Sequence, residues 1–257
     1  MEYRDGTGYE LDYMPIMDLV WGKGFIAPGG EGNVDQIVAG VDLKGKRVLE
    51  LGSGAGGGAL VLAGKYGASV VGLELEQPLV DLSTQYAKEA GIEDKVEFRC
   101  VEPGPLPVED GSFDALYSSG VILHIEDRFS LFQDILRILK PGGMLLGYDW
   151  FPTILSDDIN VWLNAADLHA FPDTVENYAV VLAKAGFTNV NYSDASAWYL
   201  NKAEKEMKEL EGPLFDKAAK VSSEKLRDMV LNEWQKMNVV LKSGELKSGY
   251  FRGAKPG

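Results

Sequence analysis

The stretch that decides the fold is residues 48–60, VLELGSGAGGGAL, in which an apolar run ends at an acid and then breaks into closely spaced glycines. Glycine has no side chain and adopts positive φ easily, so bare backbone can approach a ligand. Glycines in this order, between a buried strand and a helix, are typical of turns that bind nucleotides and other nucleosides. The pattern alone does not distinguish a dinucleotide from another nucleoside, so the remaining sequence must decide.

Length and cysteine content restrict the class of protein. The 257 residues can bury a sizeable core, which predicts a single α/β domain over residues 1–257. The one cysteine, Cys100, allows no internal disulfide and no thiolate cluster, so we expect a reducing, cytoplasmic compartment and no metal site. The N-terminus is acidic and aromatic, and no apolar run approaches the roughly 20 residues of a membrane span.

The net charge argues against nucleic acid as a partner. The sequence has 25 Lys and Arg against 39 Asp and Glu, a formal net charge of −14. Such a charge repels phosphate backbones, whereas nucleic-acid binders concentrate Lys and Arg on one face. We therefore expect a small-molecule substrate, no nucleic acid and no membrane, and the sequence leaves the oligomeric state open.

Continuous apolar runs alternate with helical periodicities along the chain. Alternation of this kind predicts a doubly wound, seven-stranded and mostly parallel sheet, with ligands at the carboxyl ends of the strands. A Lys/Glu-rich stretch with helical apolar spacing, residues 195–246, predicts a helical insertion before the last strand. A charged lid over the site and a solvated helical pair that stabilises the sheet edge are equally good interpretations of it. The predicted strands are 47–51, 68–75, 96–101, 113–118, 144–150, 189–193 and 249–254, and the predicted helices are 30–41, 59–66, 76–90, 127–139 and 174–185.

Two acids narrow the choice of ligand. Glu74 ends the second strand about 20 residues beyond the glycine turn, where a carboxylate can accept hydrogen bonds from ribose hydroxyls. Glu50 stands before Gly52, Gly54 and Gly56, and this E-x-G-x-G-x-G order resembles motif I of class I S-adenosylmethionine-dependent methyltransferases more than the NAD fingerprint. The sulfonium and the amino group of S-adenosylmethionine are cationic, so an acid near the turn suits them. The pyrophosphate of a dinucleotide would prefer a bare helix N-terminus.

Further landmarks follow in the order of that methyltransferase family. Glu102 follows the third strand, Phe113-Asp114 opens the fourth, and Lys140-Pro141-Gly142-Gly143 precedes the fifth. The resemblance implies a Rossmann-like class I fold with S-adenosylmethionine as the cofactor. The cofactor-binding residues that it implies are Glu50, Gly52, Gly54, Gly56, Glu74, Leu75, Glu102 and Ser118.

Over nearly its whole length the chain also resembles the phosphoethanolamine N-methyltransferases. An ungapped count back from Gly29-Gly30 places Tyr9 where that family has a tyrosine paired with the histidine that matches His124. The resemblance implies that residues 1–30 form an N-terminal active-site segment. The matching pieces are 24–30 (GFIAPGG), Tyr117-Ser118, 121–125 (VILHI), Asp149, Trp234 and 249–251 (GYF).

The chemistry of methyl transfer explains why such a pair would matter. Displacement at a sulfonium needs a nucleophile with a free lone pair, so an ammonium must first lose a proton. An imidazole whose pKa is near its ordinary value can accept that proton, and a tyrosine hydroxyl can orient the amine. We therefore predict His124 and Tyr9 as the catalytic residues.

The sequence departs from the phosphoethanolamine enzymes at the substrate. Ser118-Ser119-Gly120 stands where that family has Ser-Arg-Asp, and Trp150, Leu168 and Ala170 replace its tyrosine, arginine and tyrosine. Lys242 matches a phosphate-binding lysine by its spacing from Trp234 only. One lysine without the bidentate geometry of arginine would hold a dianionic phosphate poorly.

These changes favour a small amine or amino acid, N-methylated once or successively, as the substrate. The predicted substrate-binding residues are Trp21, Phe25, Asp149, Trp150 and Lys242, since aromatic walls can hold a methylated cation. The alternatives are S- or O-methylation of a small carboxylic acid or thioether, phosphoethanolamine N-methylation, and a nucleoside-binding module without transfer chemistry. An NAD-dependent oxidoreductase is disfavoured by Glu50 and the Pro-Gly-Gly element.

Overall fold

The structure is a computed structural model that describes residues 11–166 and 168–257. Seven strands in this part of the chain form one sheet, in the order third, second, first, fourth, fifth, seventh, sixth. All pairings are parallel except those of the seventh strand, which runs antiparallel to both of its neighbours. The strands are β1 (Arg47–Leu51), β2 (Ser69–Glu74), β3 (Val96–Cys100), β4 (Phe113–Ser119), β5 (Leu139–Pro152), β6 (Thr188–Asp194) and β7 (Leu246–Ala254).

Helices cover both faces of the sheet. Alternate residues of β1 point to opposite faces, so Val48 packs into a core with Val34 and Leu62, whereas Leu49 packs into a second core with Ile135 and Tyr178. The predicted doubly wound, mostly parallel fold is therefore confirmed. The helices are α1 (Met14–Trp21), α2 (Gly30–Val38), α3 (Gly57–Gly64), α4 (Gln77–Glu89), α5 (Arg128–Ile138), α6 (Asp157–Ala165), α7 (Val175–Ala185), α8 (Ser196–Glu211), α9 (Phe215–Val221) and α10 (Glu224–Ser243), with 3-10 turns at Leu11–Tyr13 and Ile122–His124.

The fifth strand begins earlier than its sequence predicts. Pro141-Gly142-Gly143 was expected to separate a helix from a strand, but β5 already starts at Leu139 and continues through these residues. The Gly142 N–H donates to the Lys255 carbonyl at 3.0 Å, and the Lys255 N–H donates to the Gly143 carbonyl at 2.8 Å. Pairing with the end of the chain thus gives these residues extended structure that no local pattern indicates.

Two helices, α6 and α1, were not predicted from the sequence. In α6, Ser156 caps the N-terminus by accepting a hydrogen bond from the Ile159 N–H, and Asp157 and Asp158 occupy the first turn. This capping signal and the buried Ile159 and Trp162 could have identified the helix. The other missed helix, α1, carries a proline in its first turn.

The predicted insertion, residues 195–246, consists mainly of α8, α9 and α10. Its long helix α10 buries Val230, Trp234 and Val240. The Trp234 indole stacks on Trp21 of α1, with ring centroids 4.5 Å apart. The insertion therefore packs against the N-terminal helix, and its role as a lid stays a prediction.

Among the helices that lie within the described residues, none is both long enough and apolar enough to cross a membrane.

Candidate active site

The glycine turn after β1 depends on the absence of side chains. Gly52, Gly54 and Gly56 all have positive φ, at 66°, 52° and 91°. A Cβ at Gly52 would lie 2.5 Å from the Val121 Cγ2, and Val121 immediately precedes the turn Ile122–His124. The glycine turn and the turn that carries His124 are therefore in direct contact.

Glu50 lies buried behind the glycine turn. Its side chain is 4% exposed, and its Oε1 occupies the space that a Cβ at Gly58 would need. The Ala59 N–H donates to the carboxylate, but Oε2 has no hydrogen-bond partner in the described part of the chain. Burial, with a smaller contribution from the Glu74 charge, raises the pKa of Glu50 to about 8. A buried carboxylate oxygen without a partner fits a cationic ligand group.

Glu74 joins the end of β2 to the same turn. Its Oε2 accepts a hydrogen bond from the Gly54 N–H at 2.8 Å, and its Oε1 accepts from the Leu75 N–H at 2.7 Å. The predicted residues Glu50, Glu74 and the glycines are thus brought together at the carboxyl ends of β1 and β2. Leu75 is 39% exposed, and Glu102 is also exposed.

The connection between α1 and α2 packs on this turn. The Gly57 N–H at the start of α3 donates to the Gly24 carbonyl at 3.0 Å. Asp18 holds the connection in place, because its carboxylate accepts from the Gly24 N–H at 2.8 Å and from the Tyr86 hydroxyl at 2.6 Å. The predicted residue Phe25 is half-buried beside Gly57.

The imidazole of His124 is oriented by a backbone carbonyl. Its Nδ1 is hydrogen-bonded to the carbonyl oxygen of His169. A carbonyl can only accept, so Nδ1 carries the proton and Nε2 keeps its lone pair. Burial holds the pKa of His124 below its ordinary value of 6.5. At neutral pH the residue is therefore an uncharged imidazole with one basic nitrogen.

A second set of polar groups lies at the end of β4. Ser118 is fully buried and its hydroxyl has no partner within the described residues, whereas the Ser119 hydroxyl accepts from the Asn33 amide at 3.3 Å. The Tyr250 hydroxyl donates to the Asn33 Oδ1 at 3.2 Å. Asn33 was not predicted, because one asparagine within a helix carries no local signal.

Asp149, on β5, is buried beside the turn that carries His124. It was predicted to contact the substrate, but it is 0% exposed and both carboxylate oxygens accept backbone hydrogen bonds. The Leu123 N–H donates to Oδ2 at 2.8 Å and the Trp150 N–H donates to Oδ1 at 2.9 Å. Burial raises the pKa of Asp149 to about 7. In the structure Asp149 holds the turn of His124 through its hydrogen bond with the Leu123 N–H.

The other predicted substrate residues are mostly held within the protein. Trp150 is 8% exposed and donates its Nε1–H to the Tyr148 hydroxyl at 2.9 Å, while Trp21 is 6% exposed. Lys242 is instead on the surface, where it pairs with Glu204 at 2.9 Å. Trp21 and Trp150 thus pack in the core and Lys242 has a carboxylate partner, and the predicted aromatic wall and anion contact stay predictions. Tyr9 lies outside the described residues, so its pairing with His124 stays a prediction.

Comparison with known proteins finds a family that includes the segment of the glycine turn. Residues 49–147, from β1 to β5, match the family described as "Methyltransferase domain". The chain contains a methyltransferase domain. Its class I, Rossmann-like character is confirmed by the sheet order and by the structural neighbours.

Relatives of the chain include the phosphoethanolamine N-methyltransferase of Triticum aestivum. The two are 31% identical over 258 residues, which cover 98% of this chain and 50% of that protein. The chain thus spans about half the length of the curated relatives that it matches first.

Two solved structures share the methyltransferase fold. Phosphoethanolamine N-methyltransferase 2 of Haemonchus contortus, in complex with phosphomonomethylethanolamine and S-adenosylhomocysteine, superposes with a TM-score of 0.86 at 24% identity, over 96% of this chain and 58% of that chain. A putative sarcosine dimethylglycine methyltransferase from Galdieria sulphuraria gives a TM-score of 0.78 at 21% identity, over 95% and 97% of the two chains.

Proposed function

We propose that the protein is an S-adenosylmethionine-dependent methyltransferase that N-methylates a small amine or amino acid. The observation that carries the proposal is the placement of two groups at the carboxyl ends of adjacent strands. Glu50, whose buried Oε2 has no partner among the described residues, lies on β1, and the neutral His124 follows β4, which pairs with β1. The first group suits a cationic cofactor and the second suits a nucleophile that must lose a proton.

The residues of the glycine turn fit the proposed cofactor. S-adenosylmethionine supplies an electrophilic methyl group on a positively charged sulfur. Glu50 would face its cationic groups, Glu74 would accept from the ribose hydroxyls, and the side-chain-free surface at Gly52 and Gly54 would admit the nucleoside. Glu102 and Ser118 stay proposed contacts at the ends of β3 and β4.

The His124 ring would handle the proton of the substrate. An ammonium has no lone pair, so an amine substrate becomes a nucleophile only after deprotonation. Nε2 of His124 has a free lone pair because Nδ1 donates to the His169 carbonyl. A tertiary ammonium must likewise lose its one N–H proton before it can attack, so each successive methylation would depend on His124. Tyr9 is proposed to orient the amine beside this ring.

The choice of an amine or amino acid rests on the residues that replace the phosphate-binding residues of the phosphoethanolamine enzymes. Leu168 and Ala170 provide no positive charge, and Lys242 is paired with Glu204 on the surface. Phosphoethanolamine is the second candidate, supported by the names of the curated relatives. The name of the Galdieria sulphuraria neighbour supports the amino acid candidate.

The experiment is a substrate panel assayed for release of S-adenosylhomocysteine. We expect turnover with small amines or N-methylated amino acids, and little with phosphoethanolamine. His124→Gln should reduce the rate with primary and tertiary amines alike at neutral pH, because both start as ammonium ions that must lose a proton. His169→Gln serves as the matched control because it keeps the main-chain carbonyl. Turnover of phosphoethanolamine alone would select the second candidate.

The substrate panel, combined with calorimetry of cofactor binding, can overturn the assignment as an enzyme. Binding of S-adenosylmethionine by calorimetry without turnover of any candidate would indicate a nucleoside-binding module. Binding of NAD in place of S-adenosylmethionine would contradict the proposed role of Glu50. Turnover of a thioether but of no amine, with a rate that does not change in His124→Gln, would contradict both the amine substrate and the proton-handling role.

A further inference from the structure

The turn that carries His124 is held by hydrogen bonds to both backbone groups of the preceding residue, Leu123. The Leu123 N–H donates to the Asp149 Oδ2 at 2.8 Å, and the Leu123 carbonyl accepts from the Phe171 N–H at 2.9 Å. The other Asp149 oxygen is held by the Trp150 N–H. The backbone position of His124 is therefore determined by a fully buried carboxylate of β5 and by the segment around Phe171.

The same segment orients the imidazole. His169, whose carbonyl accepts from the His124 Nδ1, is two residues before Phe171. The ring keeps its tautomer and direction only while this carbonyl stays in place. Two chain segments distant in sequence, 121–125 and 168–173, must therefore be held at a constant separation.

Arg128, in the first turn of α5, connects these two segments. Its Nη2 donates to the Phe171 carbonyl at 2.8 Å and lies 3.5 Å from the Leu123 carbonyl. Its Nη1 pairs with Asp173 Oδ2 at 3.1 Å, and its Nε donates to the Tyr178 hydroxyl at 3.0 Å. Arg128 is only 9% exposed, so each of these contacts is shielded from water.

The guanidinium is the only side-chain group that suits this position. It presents five N–H donors in one rigid plane, and here they reach two carbonyls, a hydroxyl and a carboxylate at once. A lysine ammonium is a single point of charge and cannot span them. The ionisable groups around this guanidinium and the His124 turn are Asp149 from β5, Asp173 from the loop, Tyr178 from α7 and His169.

We infer that Arg128 and Asp149 are positioning residues that hold the His124 imidazole with its Nε2 available as a base. Neither touches the reacting atoms. The inference rests on the proposed function of His124 for its catalytic meaning, but the orientation of the ring can be measured without turnover.

The experiment is an NMR titration of His124, combined with pH-dependent kinetics. The chain has two histidines, so a His169→Gln background leaves one imidazole signal and keeps the carbonyl at position 169. In this background we expect the pKa of His124 to lie below 6.5 and Arg128→Lys to move it upward, because the loosened turn exposes the ring. We also expect kcat to fall about tenfold or more, with the acidic limb of kcat/KM moving to the same higher pH.

Arg137→Lys is the matched control. Arg137 lies on the same helix and also contacts backbone carbonyls, those of Leu106 and Val108, together with the carboxylates of Asp110 and Asp134. We expect Arg137→Lys to lower the melting temperature without changing the pKa of His124. Tyr178→Phe, which removes one acceptor of the Arg128 guanidinium, should shift the pKa in the same direction by less, and it provides the measurement if Arg128→Lys does not fold.

The outcomes distinguish this inference from the proposed function. An unchanged pKa of His124 in Arg128→Lys, or in Tyr178→Phe when Arg128→Lys does not fold, would overturn the inference and leave Arg128 as a purely structural residue. Equal shifts in the Arg128→Lys and Arg137→Lys variants would overturn it as well. A shifted pKa together with full activity of His124→Gln would instead reject the proposed proton-handling role and leave the positioning role intact.

Discussion

Replacing Glu50 with glutamine should make the ligand-free protein more stable at alkaline pH. The Glu50 carboxyl is buried, and its pKa is raised from 4.5 to about 8, mainly by desolvation. Glutamine has nearly the same shape and keeps an acceptor for the Ala59 N–H, but it has no charge to bury. The folded wild-type protein bears a desolvation cost whenever this carboxyl is ionised, and the folded variant does not.

The sign and size of this effect follow from the raised pKa. Between pH 4.5 and about 8 the unfolded chain releases the Glu50 proton while the native chain retains it, so wild-type stability declines as pH rises through this range. At about 1.4 kcal/mol for each pKa unit, the upper bound is about 5 kcal/mol. Relaxation of the site reduces this value, so we expect Glu50→Gln to gain about 2–4 kcal/mol over wild type at pH 8.5 and little at pH 5.

The assay is urea unfolding of wild type and Glu50→Gln from pH 5 to pH 8.5, without cofactor. Glu74→Gln is the matched control, because the Glu74 carboxylate already accepts hydrogen bonds from three backbone N–H groups and should gain nothing on neutralisation. A stability difference between Glu50→Gln and wild type that does not depend on pH would refute the reasoning. Calorimetry completes the test, since Glu50→Gln should bind S-adenosylmethionine at least about tenfold more weakly if the charge faces the cofactor.

Three further predictions concern the same site. Glu74→Ala should weaken S-adenosylmethionine binding by about 1–3 kcal/mol in calorimetry, and an unchanged affinity would remove Glu74 from the site. Gly58→Ala should destabilise the protein by about 1–3 kcal/mol in thermal unfolding because its Cβ would overlap the Glu50 Oε1. Gly64→Ala on the same helix should not, because its Cβ would meet no atom of the described residues within 4 Å. The kcat/KM of a primary amine substrate should fall as pH drops through the pKa of His124, which burial holds below 6.5, so an acidic limb centred above pH 6.5 would contradict the assignment of His124 as the base.

Much of the fold could be predicted because its signals are local. The first strand was predicted at residues 47–51 and is observed at Arg47–Leu51, since a continuous apolar run followed by glycines defines it without reference to the remaining chain. The order of the strands was also correct, although α1 and α6 were not predicted, and the family match at residues 49–147 confirms the resemblance to methyltransferases. Turn chemistry and hydrophobic periodicity depend on neighbours within a few residues.

What could not be predicted depends on contacts between distant residues. The extension of β5 through Pro141-Gly142-Gly143 requires Lys255, more than a hundred positions away. The pairing of Lys242 with Glu204 likewise joins two different helices of the insertion.

The sequence by itself determined the glycine turn, the acids at the strand ends and the histidine after β4, because each is a property of residue type at a local spacing. Only the tertiary structure decided which partners the surrounding side chains contact and in which direction they point. It turned Asp149 inward to hold Leu123, and it brought the Arg128 guanidinium between the segments that carry His124 and His169. The direction of a side chain depends on the partners that folding brings to it, and those partners come from strands and loops far apart in the chain.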